Sequence, residues 1–189
     1  RAAVVSSGPH SLPGGLAWPL PPLELRARVG RSWAGHNFLE TGNRLGRTVS
    51  DLLDQAGVDR GRFRNMLDWG CGCGRLLRNL PDVFPNARFT GVDIDSDAIA
   101  WNSEHLGGLA EFQSVPDHPP SSLPARSFDF ILGLSVFTHL PLELETAWLA
   151  ELARLTSPGA VLFLTYHGAD LISRHFTMDQ ALQNDQGFS

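Results

Sequence analysis

The stretch MLDWGCGCGRLL, Met66 to Leu77, sets Asp68 just ahead of three glycines on alternate positions, Gly70, Gly72 and Gly74. Arg75 and a run of leucines follow. Met66 to Trp69 reads as the end of a short apolar strand, and the residues after Gly74 read as the opening of a helix that ends near Pro81. The glycines therefore fall on a strand-to-helix turn. There they let the backbone turn tightly and approach a ligand without a Cβ in the way. The helix N-terminus adds free N–H groups and positive potential for a carboxylate or phosphate. Three glycines weaken a helix start for no structural gain, which favours a ligand site over a bare turn.

Outward from this stretch the chain alternates strand and helix. RNMLDW is the first strand. ARFTGVDI is the second, with Phe89, Gly91 and Val92 buried. Asp95 then caps a helix through about His105, and Asp97 in its first turn complements the helix dipole. AEFQSV is a weaker third strand, followed by a loop with Pro116, Pro119, Pro120 and Pro124. SFDFILGL is a fourth strand, Pro141 to Thr156 a helix stopped by Ser157-Pro158-Gly159, and AVLFLTY a fifth strand. This alternation predicts right-handed βαβ units and a parallel sheet. No internal repeat interrupts it. Ahead of it, residues 1–22 are rich in Pro, Gly and Ser and read as an extended arm. Between Leu23 and Gly57 the pattern is helical: stretches over Glu24–Val29 and Trp33–Glu40 precede Val49, Leu52, Leu53 and Ala56 at helical spacing, with Gly57 as the stop. The expected organisation is an arm and helical lid over residues 1–59 and a ligand-binding domain over 60–189.

Composition excludes several functions. The chain has 189 residues, 42% of them hydrophobic and 19% charged, which suits one globular domain with a small appendage. A net charge of −5 and a pI near 5.7 argue against a nucleic-acid partner, which calls for a basic footprint. There is no basic run for an anionic membrane surface, and the apolar run at Ala160–Leu164 is far short of the roughly 20 residues that span a bilayer. AAVVSS lacks the length of a signal-peptide core, so a cytoplasmic setting is expected. The chain begins with Arg1 and not Met. The two cysteines, Cys71 and Cys73, both sit in the quoted turn, with no further Cys or His pair at zinc spacing. They read as small residues tolerated there.

The glycine spacing narrows the ligand. A dinucleotide fingerprint G-x-G-x-x-G counted from Gly70 meets Arg75 at its last position, and counted from Gly72 it meets Leu77. The second strand ends on GVDID, where the Asp93 carboxylate can accept bonds from both ribose hydroxyls of a nucleoside and Ile94 can pack on its base. Capping of the next helix is the other role open to Asp93, although Asp95 is better placed for it.

The pattern Asp68-x-Gly70-x-Gly72-x-Gly74 closely resembles the first motif of class I S-adenosylmethionine-dependent methyltransferases. SFDFILGLSVFTHL followed by LARLTSPGAVLFLTYHG resembles that superfamily's fourth strand, helix, and turn before the fifth strand, with Ala160 where a second glycine is common. PPLELRARVG, WGCGCGRLLRNL, SVFTHLP and LTYHG together suggest a bacterial small-molecule branch. The resemblance covers residues 60–168 well and 21–59 loosely. It implies a Rossmann-like, doubly wound, mainly parallel sheet and S-adenosylmethionine as cofactor, with transfer of its methyl group to a small-molecule acceptor. It further implies cofactor contacts from Asp68, Gly70, Cys71, Gly72, Gly74, Arg75, Asp93, Ile94, Ser114 and Ser135.

Two departures stand out. The superfamily sheet ends with an antiparallel hairpin, whereas only a short stretch follows the fifth strand here, and DLISRHFTMDQALQND reads as helical. We expect either a longer native chain or a dimer that covers the exposed edge. The superfamily also often carries an acidic residue after the third strand to hold the adenine amino group, where this chain reads Gln113-Ser114-Val115. For catalysis, Asn-Pro-Pro-Tyr is absent. His139, just beyond the fourth strand, is the candidate general base, with helix capping as its alternative role. His167 is a second candidate, and Trp33, His36 and Phe38 are candidates for substrate contact or for core. Besides methyl transfer, a nicotinamide-dependent oxidoreductase and a non-catalytic nucleoside-binding module remain as alternatives.

Overall fold

In the computed structural model, which describes residues 18–30 and 35–166, the strand Asn65–Trp69 (β1) is the middle of a five-stranded sheet. Arg88–Asp93 (β2) lies on one side of it and Phe128–Gly133 (β4) on the other, with Glu111–Ser114 (β3) and Thr156–Leu164 (β5) at the edges. The order is β3-β2-β1-β4-β5 and all four pairings are parallel. Asp68 stands opposite Gly91 and Leu132. Because β2 and β4 leave β1 in opposite directions, the crevice at the C-terminal end of β1 is the switch point where open α/β sheets take their ligands. The expected doubly wound sheet is present. Among the described residues no antiparallel strand follows β5, and the segment after Tyr166 lies outside them.

Both faces of the sheet are covered, so β1 is buried from Met66 to Trp69 rather than alternating. Met66, Phe130 and Leu132 pack on one face with Phe63, Phe84, Val49 and Leu53. Leu67, Trp69 and Ile131 pack on the other with Trp148, Leu152 and Leu155. The two-residue period of the strands sorts these side chains. Phe130 meets Phe63 and Phe84 at ring-centroid distances of 4.9 and 4.7 Å.

The helices are Leu23–Arg28 (α1), Gly35–Gln55 (α2), Leu80–Val83 (α3), Ser96–Leu106 (α4) and Leu142–Leu155 (α5). α2 ends as the sequence indicates: Gly57 takes φ +67, its N–H bonds to Asp54 and that of Val58 to Leu53, closing a Schellman cap. Gly42 and Gly46 let α2 lie directly on the Arg75–Asn79 backbone. Since Val49 and Leu53 share a core with Phe63 and Met66, the boundary at residue 59 does not separate two cores. Asp95 caps α4 through the N–H groups of Asp97 and Ala98.

Three expectations are corrected. The segment after Gly74 is not an α-helix ended near Pro81: it forms turns, a short 3₁₀ turn over Leu77–Asn79, and then α3 with Pro81 inside its first turn. The close packing of α2 on this segment takes the place of regular helix. α5 begins after Pro141, which is its N-cap, and stops at Leu155. Ser157–Gly159 is a register shift inside β5, between the pairs Phe128–Thr156 and Phe130–Val161, with Gly159 at φ +78. No helix among the described residues is long and apolar enough to cross a membrane.

The loop after β3 is tied to α5 by Glu151, whose side chain is almost fully buried. It accepts from the Ser121 N–H and hydroxyl at 2.8 and 2.6 Å and pairs with Arg154 at 2.7 Å. The Arg154 guanidinium beside it lowers its carboxyl to about 2. A depressed acid of this kind contributes stability above its unfolded pKa that is lost as pH falls through the folded one. Glu151→Gln should therefore lower unfolding free energy by about 2 kcal/mol at pH 7, and less as pH drops from about 4.5 to about 2. Denaturant melts at pH 7 and pH 3 check this, and an equal loss at both pH values would contradict it.

Candidate functional site

At the C-terminal ends of β1, β2 and β4 lies a cavity of about 790 Å³, within the range of small-molecule and cofactor sites. A smaller hollow of about 360 Å³ around Arg60 and Asp82 opens at the opposite end of the strands, and its Arg60 is paired with Asp54 at 3.0 Å. The switch-point cavity is the one with candidate chemistry.

Its floor is the glycine turn. Gly70, Gly72 and Gly74 take φ of +79, +52 and +75, in the left-handed region where a side chain is strained. The turn hangs on the end of β2: the N–H groups of Gly70 and Cys71 both reach the Val92 carbonyl, at 2.8 and 3.0 Å, and that of Gly72 reaches Asp93 Oδ2 at 2.7 Å. Gly70 and Gly72 line the cavity, and Cβ atoms there would collide with Val136 and Val29. Gly74 does not line it. A Cβ at Gly74 would meet Leu106 at 2.7 Å and Asn102 at 3.4 Å, so the third glycine serves the packing of α4.

Asp68 is 4% exposed, and its Oδ2 is buried with no hydrogen-bond partner. Burial, and then the negative charge of Asp93, push its carboxyl up to about 7. Asp93 is held by two N–H donors, Gly72 on Oδ2 and Asp95 on Oδ1 at 2.9 Å. Ile94 beside it is 64% exposed and lines the cavity. Cys71 lines it too, buried, its thiol raised well above the usual range by burial. Cys73 is fully buried against Leu25 and Phe38 under α1. Neither cysteine belongs to a cluster that could hold a metal among the described residues.

The structure brings Asp68, Gly70, Cys71, Gly72, Arg75, Asp93, Ile94, Ser135 and His139 to this one cavity. Ser114 is a correction: it is exposed and off the cavity wall, which is continued by Val115. The alternation of β3 carries Val115 inward, with its N–H bonded to the Asp93 carbonyl at 3.0 Å. Ser135 sits at φ +60, its N–H donating to Thr165 Oγ1 at 2.7 Å and its carbonyl accepting from Thr138. His139 is exposed at the rim, on the 3₁₀ turn Phe137–His139. Phe38 is core, His36 is exposed, and neither lines the cavity. Trp33 and His167 lie outside the described residues.

Several lining residues were not singled out in the sequence: Arg28 and Val29 from the α1 end, Thr41, Arg44 and Leu45 from α2, Asp117 and His118, and Leu144 and Trp148 from α5. Arg28 roofs the cavity through pairs to Asp95 at 2.7 Å and Asp97 at 3.1 Å. Asp117 supplies an acidic group just after β3, a few residues beyond the segment inspected for one. Only the third-strand rule, extended into the proline-rich loop, pointed toward it.

A glycine turn hung on the second strand, an acid at the end of each of the first two strands and an apolar wall define a nucleoside-binding α/β domain of the class I methyltransferase type. Residues 67–162, about half of the chain, match the model of the methyltransferase domain family, and the protein belongs to that family. The chain is 32% identical over 99 residues to malonyl-[acyl-carrier protein] O-methyltransferase of Hahella chejuensis, covering 52% of this chain and 35% of that protein. It is 29% identical over 130 residues to trans-aconitate 2-methyltransferase of Rhodopseudomonas palustris, covering 69% and 48%. With fatty-acid O-methyltransferase of Mycolicibacterium smegmatis the identity is 30% over 104 residues, covering 54% and 36%. The chain thus spans half or less of the length of these relatives. A Pyrococcus horikoshii protein has the same fold, with a TM-score of 0.55 at 20% identity over 68% of this chain and 61% of that one. PKMT2 from Rickettsia typhi, solved in complex with AdoHcy, matches with a TM-score of 0.50 at 22% identity, over 64% and 24%.

The raised carboxyl of Asp68 makes a stability prediction. A group whose folded pKa lies above its unfolded value contributes stability below the unfolded pKa that is lost as pH rises through the folded one. Between about pH 4 and the folded value of about 7, the unliganded protein should lose stability on the order of 4 kcal/mol. Asp68→Asn should abolish this slope and be the more stable form at pH 8. Unfolding free energies of both forms from pH 5 to 8 check it, and a constant difference would contradict it.

Proposed function

We propose that this cavity binds S-adenosylmethionine and that the protein transfers its methyl group to a small-molecule acceptor. The observation that carries the reading is Asp68: a buried carboxylate with an unpartnered oxygen, beside the Gly70–Gly72 backbone, calls for a cationic ligand group. The α-ammonium of the cofactor's amino-acid end supplies one. Asp93, preset by its two N–H donors, would face the ribose hydroxyls, while Ile94 and Val115 would flank the adenine. Asp117 would serve the adenine amino group. When bound, the cofactor supplies a methyl group on a sulfonium, which passes in line to an acceptor lone pair as the carbon–sulfur bonding electrons return to sulfur. The protein's part is alignment and exclusion of water. Val136, Leu140, Leu144 and Trp148 give the acceptor side an apolar wall.

The acceptors in the relatives' names, malonyl-[acyl-carrier protein], trans-aconitate and a fatty acid, are carboxylic acids. They support an acid acceptor here. The net charge of −5 supports the absence of a nucleic-acid partner, and a cytoplasmic setting belongs to the same reading.

Calorimetric titration should show S-adenosylhomocysteine binding with NAD silent. Asp93→Asn should weaken that binding by about 1–3 kcal/mol, the worth of charge-assisted hydrogen bonds. Binding of NAD instead would install the oxidoreductase alternative, and cofactor binding without turnover on any acceptor would favour the non-catalytic one.

His139 separates acceptor types. On a hydroxyl or amine acceptor, His139→Ala should lower turnover roughly 100-fold, as for loss of a positioned base. On a carboxylate, which holds no proton at neutral pH, turnover should be near normal. Cofactor affinity and melting temperature should not change in either case, and a lowered melting temperature would assign His139 to structure.

A further inference from the structure

Ala98, Ile99, Asn102 and Leu106 are the buried residues of α4, and only Asn102 among them is polar. It is 0% exposed and does not line the cavity. With Ala98 and Leu106 it shares one side of the helix by spacing, and that side meets the glycine turn: both Leu106 and Asn102 stand against Gly74. Asn102 Nδ2 donates to the Gly72 carbonyl at 2.8 Å and lies 3.9 Å from Cys71 Sγ. A carbonyl can only accept, so the amide has to present its nitrogen there. That leaves Oδ1 on the other side, buried and with no hydrogen-bond partner. A half-satisfied amide is a costly way to seat a helix, because a small apolar side chain fills such a place with no polar atom to desolvate.

The carbonyl that Asn102 holds belongs to a residue already held at its N–H. Gly72 donates to Asp93 Oδ2 at 2.7 Å and takes φ +52. As a glycine it has soft torsions on both sides. The Asp93 bond fixes the peptide before it and the Asn102 bond fixes the peptide after it. We propose that Asn102 is a positioning residue, which acts through Gly72 to keep the Asp93 carboxylate set for its ligand. This role rests on the methyltransferase reading, in which Asp93 meets the ribose hydroxyls, and adds to it a residue that touches no ligand. Without the amide, the peptide between Gly72 and Cys73 is free to rotate and the Gly72 N–H turns off Asp93. The carboxylate then keeps only the Asp95 N–H as donor. Binding has to supply the order that the fold otherwise provides in advance.

Calorimetry with S-adenosylhomocysteine, together with a thermal melt, tests this on five proteins. They are the wild-type chain, Asn102→Ala, Asn102→Ser, Asp93→Ala and the double variant Asn102→Ala with Asp93→Ala. Both substitutions at 102 shorten the side chain, so neither reaches Gly72 and neither clashes. Each should bind about tenfold more weakly than wild type, the worth of one good hydrogen bond. The melting temperature of Asn102→Ala should equal or exceed that of wild type, because the unpartnered Oδ1 leaves with the amide and alanine is the better helix former. In the Asp93→Ala background the further loss of affinity should vanish, since the group through which Asn102 acts is gone. Equal losses in both backgrounds overturn the assignment. So does unchanged affinity in the single variants at 102, and with a lowered melting temperature that result makes Asn102 a packing residue. Either of these results leaves the methyltransferase reading standing. A wild-type chain that does not bind S-adenosylhomocysteine overturns that reading and the role of Asn102 with it.

Discussion

The constraint on which the site depends is a carboxylate buried where a sheet changes direction. Asp68 ends the central strand, at 4% exposure, with one oxygen unpartnered and a second acid, Asp93, close enough to raise its pKa. Such an arrangement costs stability. It persists because the surrounding fold is stable enough to hold it, as strained groups at functional sites generally do. The sheet provides that support. β1 is paired on both sides and packed on both faces, so Asp68 has no freedom to swing out to water.

The same rigidity propagates through the glycine turn. The three N–H bonds to Val92 and Asp93 fix the turn onto β2 and leave its cavity side without side chains. They also hold the Asp93 carboxylate in place. Above it α1 and the Arg28 pairs close the roof, and Val29 comes so near to Gly72 that no side chain fits between them. The glycines therefore do two jobs at once. Gly70 and Gly72 open the cavity floor and admit Val136 and Val29, while Gly74 lets α4 pack. What reads in the sequence as one motif is in the structure a division of labour among three close approaches.

That distinction shows where the sequence is legible. The parallel sheet, the cap at Asp95 and the stop at Gly57 were readable, because hydrophobic period, capping residues and glycine each act within a few positions of themselves. The acids at the strand ends were readable because the turn places them. The irregular segment after Gly74 was not. It is set by Gly42 and Gly46, which let α2 press on the Arg75–Asn79 backbone from more than 25 residues away, a contact that overrides local helix preference. Ser114 was misplaced by one position on β3, and in a strand one position exchanges faces. Arg44 carries no local signal, and Asp117 only a loose one from its place after β3: an arginine on an amphipathic helix and an aspartate in a proline-rich loop resemble ordinary solvated residues until the fold brings them to one cavity.

The charges of that cavity are sorted by element. The acids come from the ends of β1 and β2 and from the loop after β3, whereas Arg44 and Arg75 come from α2 and from the segment on which α2 rests. An amino acid joined to a nucleoside has a matching distribution, with a cation, an anion and a hydroxyl-bearing sugar. A neutral metabolite has not. Burial and the neighbouring Asp93 push the Asp68 carboxyl up to about 7, and a cationic ligand group beside it favours the charged form. The electrostatic cost of burying Asp68 is thus also a source of selectivity: a ligand with no cation to set beside its unpartnered oxygen leaves that cost in full.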